Sequence, residues 1–137
     1  MAIAVLEKLS KAVNPKLALM NEVGDLSREI ILGNRVLVAI YIGPEKTKGG
    51  IIRTTTSLKE DVYQGAVGLV LKLGGTAFLD EPETKTYFHN QKASVGQWVV
   101  FRPGDGKRIQ INGVDCRMIE DTLIDMIIDE PELITHR

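Results

Sequence analysis

The chain has 137 residues, a length that fits one domain with a core of its own. Its 17 Lys and Arg against 18 Asp and Glu leave a formal charge of −1, so no net field draws it to a phosphate backbone or an anionic bilayer, and neither nucleic acid nor membrane is expected as a partner. One cysteine, Cys116, with His89 and His136, supplies neither an internal disulfide nor a ligand set at zinc spacing, so no metal or cofactor is expected and Cys116 reads as a small apolar side chain on a strand.

At the N-terminus, MAIAVLEKL lacks a basic leader and meets Glu7 and Lys8 too early for a signal peptide or a span of roughly 20 apolar residues. Val5, Leu6, Leu9, Ala12 and Val13 recur at three- and four-residue spacing, with Glu7, Lys8 and Lys11 opposite, which predicts a helix over 2–12. Asn14-Pro15 is expected to stop it, because the residue before a proline avoids the α region. Residues 1–29 then form an extension. Its apolar stripe, Val5, Leu6, Leu9 and Val13, either packs on its own domain or docks on another protein.

From Ile30 the texture changes. REIILGNRVLVAIYI is apolar and β-branched, broken at Gly33-Asn34, and predicts two linked strand segments. Residues 43–64 combine Pro, a Gly pair, a run of three Thr (54–56) and mixed charge around Ile51-Ile52, which reads as a long loop. Long structureless loops are uncommon in compact domains and are usually functional.

GAVGLVLKLG (65–74) and VGQWVVF (95–101) read as strands flanking a polar, hairpin-like stretch over 74–94. Within that stretch Asp80, Glu81 and Glu83 flank Pro82 and read as a solvated tip. Pro103-Gly104-Asp105-Gly106 is turn chemistry, and Asn112-Gly113 is the preferred pair for a type I′ hairpin. The last strand, LIDMII (Leu123–Ile128), is apolar at nearly every position, whereas free sheet edges are normally short, charged or covered. In a monomer the extension could cover it, but in an oligomer a neighbour's strand can pair with it and hide its apolar side chains as well, which is the reason to expect a homo-oligomer.

The order of these features resembles the chaperonin-10 (GroES-like) family, and KTKGGII and QGAVGLVLKLG with the hairpin after them look closest to its members encoded by tailed phages. The family resemblance is carried by the strand Asn34-Arg35-Val36-Leu37-Val38, the loop KTKGGII (46–52), then Gln64-Gly65-Ala66-Val67, then Val95-Gly96-Gln97-Trp98-Val99-Val100-Phe101. The resemblance implies a mostly β fold: a small Greek-key β-barrel over 30–129 with a long loop and a hairpin insertion, preceded by the helical extension and followed by a tail at 130–137. It implies subunits joined through first-strand to last-strand pairing, carried by Val36, Leu37 and Val38 on one side and Leu123, Ile124, Met126, Ile127 and Ile128 on the other. It also implies a partner-binding loop at Gly49, Gly50, Ile51, Ile52 and Arg53, in which Arg53 stands where the family has a third aliphatic residue.

Two functions follow, neither of them catalytic, since the scattered carboxylates form no recognisable acid/base constellation. The first reuses the fold as a phage virion structural protein, a capsid decoration or cement subunit that clamps neighbouring capsid proteins through its N-terminal arm and long loop, assembled in the host cytoplasm. The alternative is a cytoplasmic co-chaperonin ring that caps a chaperonin through the loop. Arg53 and the extension favour the first; Gly49-Gly50-Ile51-Ile52 favours the second.

Overall fold

The computed structural model describes residues 14–42 and 67–134. The helix expected at 2–12, with Val5, Leu6, Leu9 and Val13, and the loop residues Gly49, Gly50, Ile51, Ile52 and Arg53 lie outside the described residues. The described chain runs α1 (Pro15–Val23), β1 (Arg35–Ile40), β2 (Val67–Leu73), β3 (Trp98–Phe101), β4 (Lys107–Ile111), β5 (Val114–Glu120) and β6 (Ile124–Ile128). The fold is mostly β: the strands form one six-stranded antiparallel sheet in the order β4-β5-β1-β2-β3-β6. The expected closed barrel is not completed among the described residues, because β4 and β6 end the sheet and do not pair with each other.

Asn14-Pro15 opens a helix, which the sequence reading did not foresee. The Asn14 side chain accepts the Leu17 N–H at 3.0 Å and Pro15 takes the first helical position, where its missing N–H costs nothing. The two strand segments expected across 28–42 are reduced to one. No strand is assigned before Gly33-Asn34, and β1 begins at Arg35. The hairpin expected over 74–94 survives only as a single bridge, Glu81 to Thr86, around a 3-10 turn at Pro82–Thr84. Phe78, Lys85, His89 and Asn90 all take positive φ there, a backbone conformation that breaks a ladder. Asn112 and Gly113 form the expected tight turn, both with positive φ, between β4 and β5.

Both faces of the sheet are apolar, which explains why β1 reads as an unbroken hydrophobic run. On one face Leu37, Ala39, Leu69, Trp98, Cys116 and Ile128 join Val23 of α1 and Ile31, with Leu19, Met20 and Leu26 packed around them. On the other, Val36, Val38, Ile40, Val70, Val99, Phe101 and Ile119 are covered by Ala77, Phe78, Ala93 and Ile124. Each such side chain contributes about 1.5–3 kcal/mol by leaving water. A bulge in the β1–β2 register, at Leu37/Val38, slips the pairing by one residue, and Lys72 sits opposite Leu37. Tyr41 closes the first face edge-on to Trp98, ring centroids 5.4 Å apart, and its hydroxyl donates to Glu132 at 3.2 Å, tying down the tail.

Candidate functional site

The sheet has two ends. On β4, Lys107, Arg108 and Gln110 are exposed, the charged form by which edge strands ordinarily resist pairing. On β6, Met126 and Ile127 are 49% and 44% exposed, and β3 pairs with only one side of the strand. A bulge between Val100 and Phe101 leaves Asp125 as the extra residue of β6. Beside this edge lies a groove of about 610 Å³, walled by Phe78, Tyr87 and Phe88 on one side and Ile124, Met126 and Ile127 on the other.

Beneath the groove a buried carboxylate acts as a clasp. Asp121 Oδ1 accepts from the Asn34 side-chain amide at 3.1 Å, and its Oδ2 accepts from the Phe78 backbone N–H at 2.9 Å. The Asp121 N–H in turn donates to the Asn34 carbonyl at 3.1 Å. One side chain thereby joins the turn before β1, the aromatic wall and the start of the last strand, and helps hold Phe78 at its unfavourable φ of 61°.

A second apolar strip lies ahead of β1. Ile30 and Leu32 are 80% and 69% exposed while Ile31 between them is 8% exposed and packed in the core. This alternation has the period of a strand, yet no strand is formed there within the chain. Gly33 follows, and its carbonyl accepts from Thr76 N–H at 3.0 Å. Gly74 must be glycine at this crossing, because a Cβ there would stand 2.1 Å from the Gly33 oxygen.

Val36, Leu37 and Val38, which the resemblance implied for the subunit seam, are buried and paired on both sides within the chain: β1 has β2 on one flank and β5 on the other. The backbone groups of β1 are consumed, so it offers no edge. On the opposing side, Met126 and Ile127 are accessible, Leu123 and Ile124 are half-buried, and Ile128 is core. The sequence reading missed Ile30 and Leu32 as surface residues, since an apolar run next to a strand suggests core. The isolated charge in VGLVLKL was the available signal for Lys72.

Two buried groups lie toward the β4 end. Cys116 is core on β5, and burial pushes its thiol from 9.0 up to about 11. Arg117, 1% exposed, uses Nη1 to donate to the carbonyls of Pro103 and, at 3.0 Å, Asp105, fastening the turn before β4. Burial and the neighbouring Arg108 lower its pKa, and Nη2 is without a partner. Asp80, Glu81 and Glu83 are exposed, and among the described residues no group of three or more His, Cys, Asp or Glu is placed to hold a metal. No helix among the described residues is long and apolar enough to cross a membrane.

Among the described residues these features define a small antiparallel β fold with apolar sheet faces and an apolar end strand, β6, paired on one side. The family model of the chaperonin 10 kDa subunit matches residues 30–127, well over half of the chain, and the chain belongs to that family.

Proposed function

We propose that the chain is a non-catalytic co-chaperonin subunit that assembles head to tail into a ring and acts from the cytoplasm on a chaperonin. The observation that carries this reading is the pair of exposed apolar strips, Ile30 with Leu32 and Met126 with Ile127, on a chain that matches the family over residues 30–127. Two different strips on one chain suit a heterologous contact, the kind that closes into rings when the rotation allows. The 30–32 strip of one copy would lie along β6 of the next, covering Met126 and Ile127 and completing a ladder that β1 has no free edge to supply. The loop residues Gly49, Gly50, Ile51 and Ile52 would dock on the chaperonin.

A second reading, a capsid decoration or cement protein of a phage virion, is favoured by Arg53 and by the 29 residues ahead of the matched region. A guanidinium in an apolar groove must be desolvated or must snorkel out, and the roughly 1.5–3 kcal/mol of an aliphatic side chain is lost. Against it, α1 buries Val23 in the core of its own sheet, so the end of the extension packs at home.

Sedimentation of the protein alone, and with a bacterial chaperonin plus ATP, separates the readings, with Arg53→Leu alongside. Co-sedimentation of the wild-type ring that depends on nucleotide is the expected result. Binding by Arg53→Leu alone, or by neither, overturns the co-chaperonin role and turns the search to capsid surfaces.

A further inference from the structure

Lys72 is the only charged side chain in β2, VGLVLKL, and its ammonium is spent on backbone. Nζ donates to the Leu26 carbonyl at 2.7 Å and to the Glu29 carbonyl. Those two carbonyls belong to one turn, because the Glu29 N–H donates to the same Leu26 oxygen at 3.0 Å. The turn is braced on its other side by Asp25, whose carboxylate accepts the Ser27 N–H at 2.9 Å and the Ser27 hydroxyl at 3.1 Å. These bonds, the backbone one first, with Lys72 as a further attraction, hold Asp25 below the usual carboxylate range.

Immediately beyond this turn come Ile30 and Leu32, pointing out on either side of the buried Ile31. The far end of the strip is pinned at Gly33 by Thr76 and by the close crossing of Gly74. Between those two anchors the strip has Ile31 as its hold on the core. Remove the Lys72 anchor and the backbone of the near end loses its hydrogen bonds to the sheet, keeping the Leu26 side chain against the core and the Asp25–Ser27 turn, whose bonds are internal. A strip held at both ends enters a contact with less ordering cost than a loose one.

We propose that Lys72 is a positioning residue for self-assembly: by gripping the Leu26 and Glu29 carbonyls it presents Ile30 and Leu32 as a preformed docking strip for β6 of a second copy. The occupant is a second copy because the same chain carries the matching bare edge, Met126 and Ile127, at the far end of its sheet. The inference rests on the assembly reading above and assigns it a determinant on a central strand of the sheet that is itself part of neither contact strip.

Arg28, exposed within the gripped turn, provides a local reporter through tryptic cleavage in the full-length protein. In Lys72→Met, cleavage after Arg28 is expected to quicken about tenfold, since a lost hydrogen bond to a charged donor opens a segment by roughly that factor. Self-association by sedimentation equilibrium should weaken by about the same factor. Thermal unfolding reports whether the variant still folds, and Lys72→Arg, whose fork can reach two carbonyls, should recover both properties. Unchanged Arg28 cleavage in Lys72→Met overturns the grip. Faster cleavage with undiminished association overturns the link to assembly. A wild-type protein that stays monomeric sinks the assembly reading and the positioning role together, while the Arg28 readout still decides whether the grip exists.

Discussion

The two ends of the sheet are built on opposite principles. β4 presents Lys107, Arg108 and Gln110 to solvent, and its inward residues Ile109 and Ile111 are half-buried. β6 presents Met126 and Ile127 beside a groove with an aromatic wall. A strand edge is a row of unpaired donors and acceptors, and charge on its side chains makes pairing with a stranger costly. Among the described residues one end is therefore defended and the other uncovered, and the proposed assembly would add a second copy at the uncovered end. The asymmetry also suits a head-to-tail assembly, since two bare ends would favour indiscriminate stacking.

The largest expected effect comes from carrying the β4 device over to β6. Ile127→Lys removes an apolar contact worth about 1.5–3 kcal/mol and obliges an ammonium to be desolvated, so self-association should fall by about a hundredfold. Sedimentation velocity measures this, and undiminished association would erase the functional difference between the ends. Next is the foundation of the open end. Asp121→Ala strands the Phe78 N–H and the Asn34 amide, at about 1–3 kcal/mol for each group left unpaired. Chemical denaturation should report the loss, and hydrogen exchange should place the loosening at 74–94 and β6, with β4 spared.

The reverse transfer is gentler. Lys107→Val, at the defended end, should leave unfolding free energy within about 0.5 kcal/mol, since the side chain is exposed, while light scattering rises with concentration as a second edge becomes available. A protein that stays clear at every concentration would mean that Lys107 takes no part in the defence. The last effect is confined to alkaline pH. Cys116 folds with its thiol at about 11 against an ordinary 9.0, so the folded state holds its proton more tightly. Stability is then full below about pH 9 and declines as pH rises toward 11. Tyr41, pushed from 10.0 to about 12 chiefly by burial, extends the decline. Cys116→Ala should flatten the first part of that limb in pH-dependent melts.

Much of the architecture could be read from residue types alone. β2 and β3 follow from their β-branched runs, and the β4–β5 hairpin from Asn112-Gly113, because these signals are local and the backbone obeys them wherever they fall. The readings that failed depended on relations between distant segments. Whether Ile30 and Leu32 pair or protrude is decided by what flanks β1, and β5 reaches that flank from some 80 residues downstream. Pro15 stops one helix or starts another according to its neighbours, and Asn14 supplied a cap that the spacing of apolar residues gave no reason to expect. Lys72 was visible as an odd charge, but its purpose lies in two carbonyls more than 40 positions earlier.

The turn at Asn112-Gly113 ties the hairpin tip to the helix through one side-chain amide. An asparagine followed by glycine is the pair whose side-chain amide is most open to attack by the next backbone nitrogen, and here that amide is in use: Asn112 Nδ2 donates to the Val23 carbonyl at 2.6 Å, at the end of α1. Loss of the amide nitrogen would set a carboxylate oxygen against a carbonyl oxygen, two acceptors with no proton between them. Deamidation at a single hairpin tip would thus remove a bond to a helix residue 89 positions away in sequence.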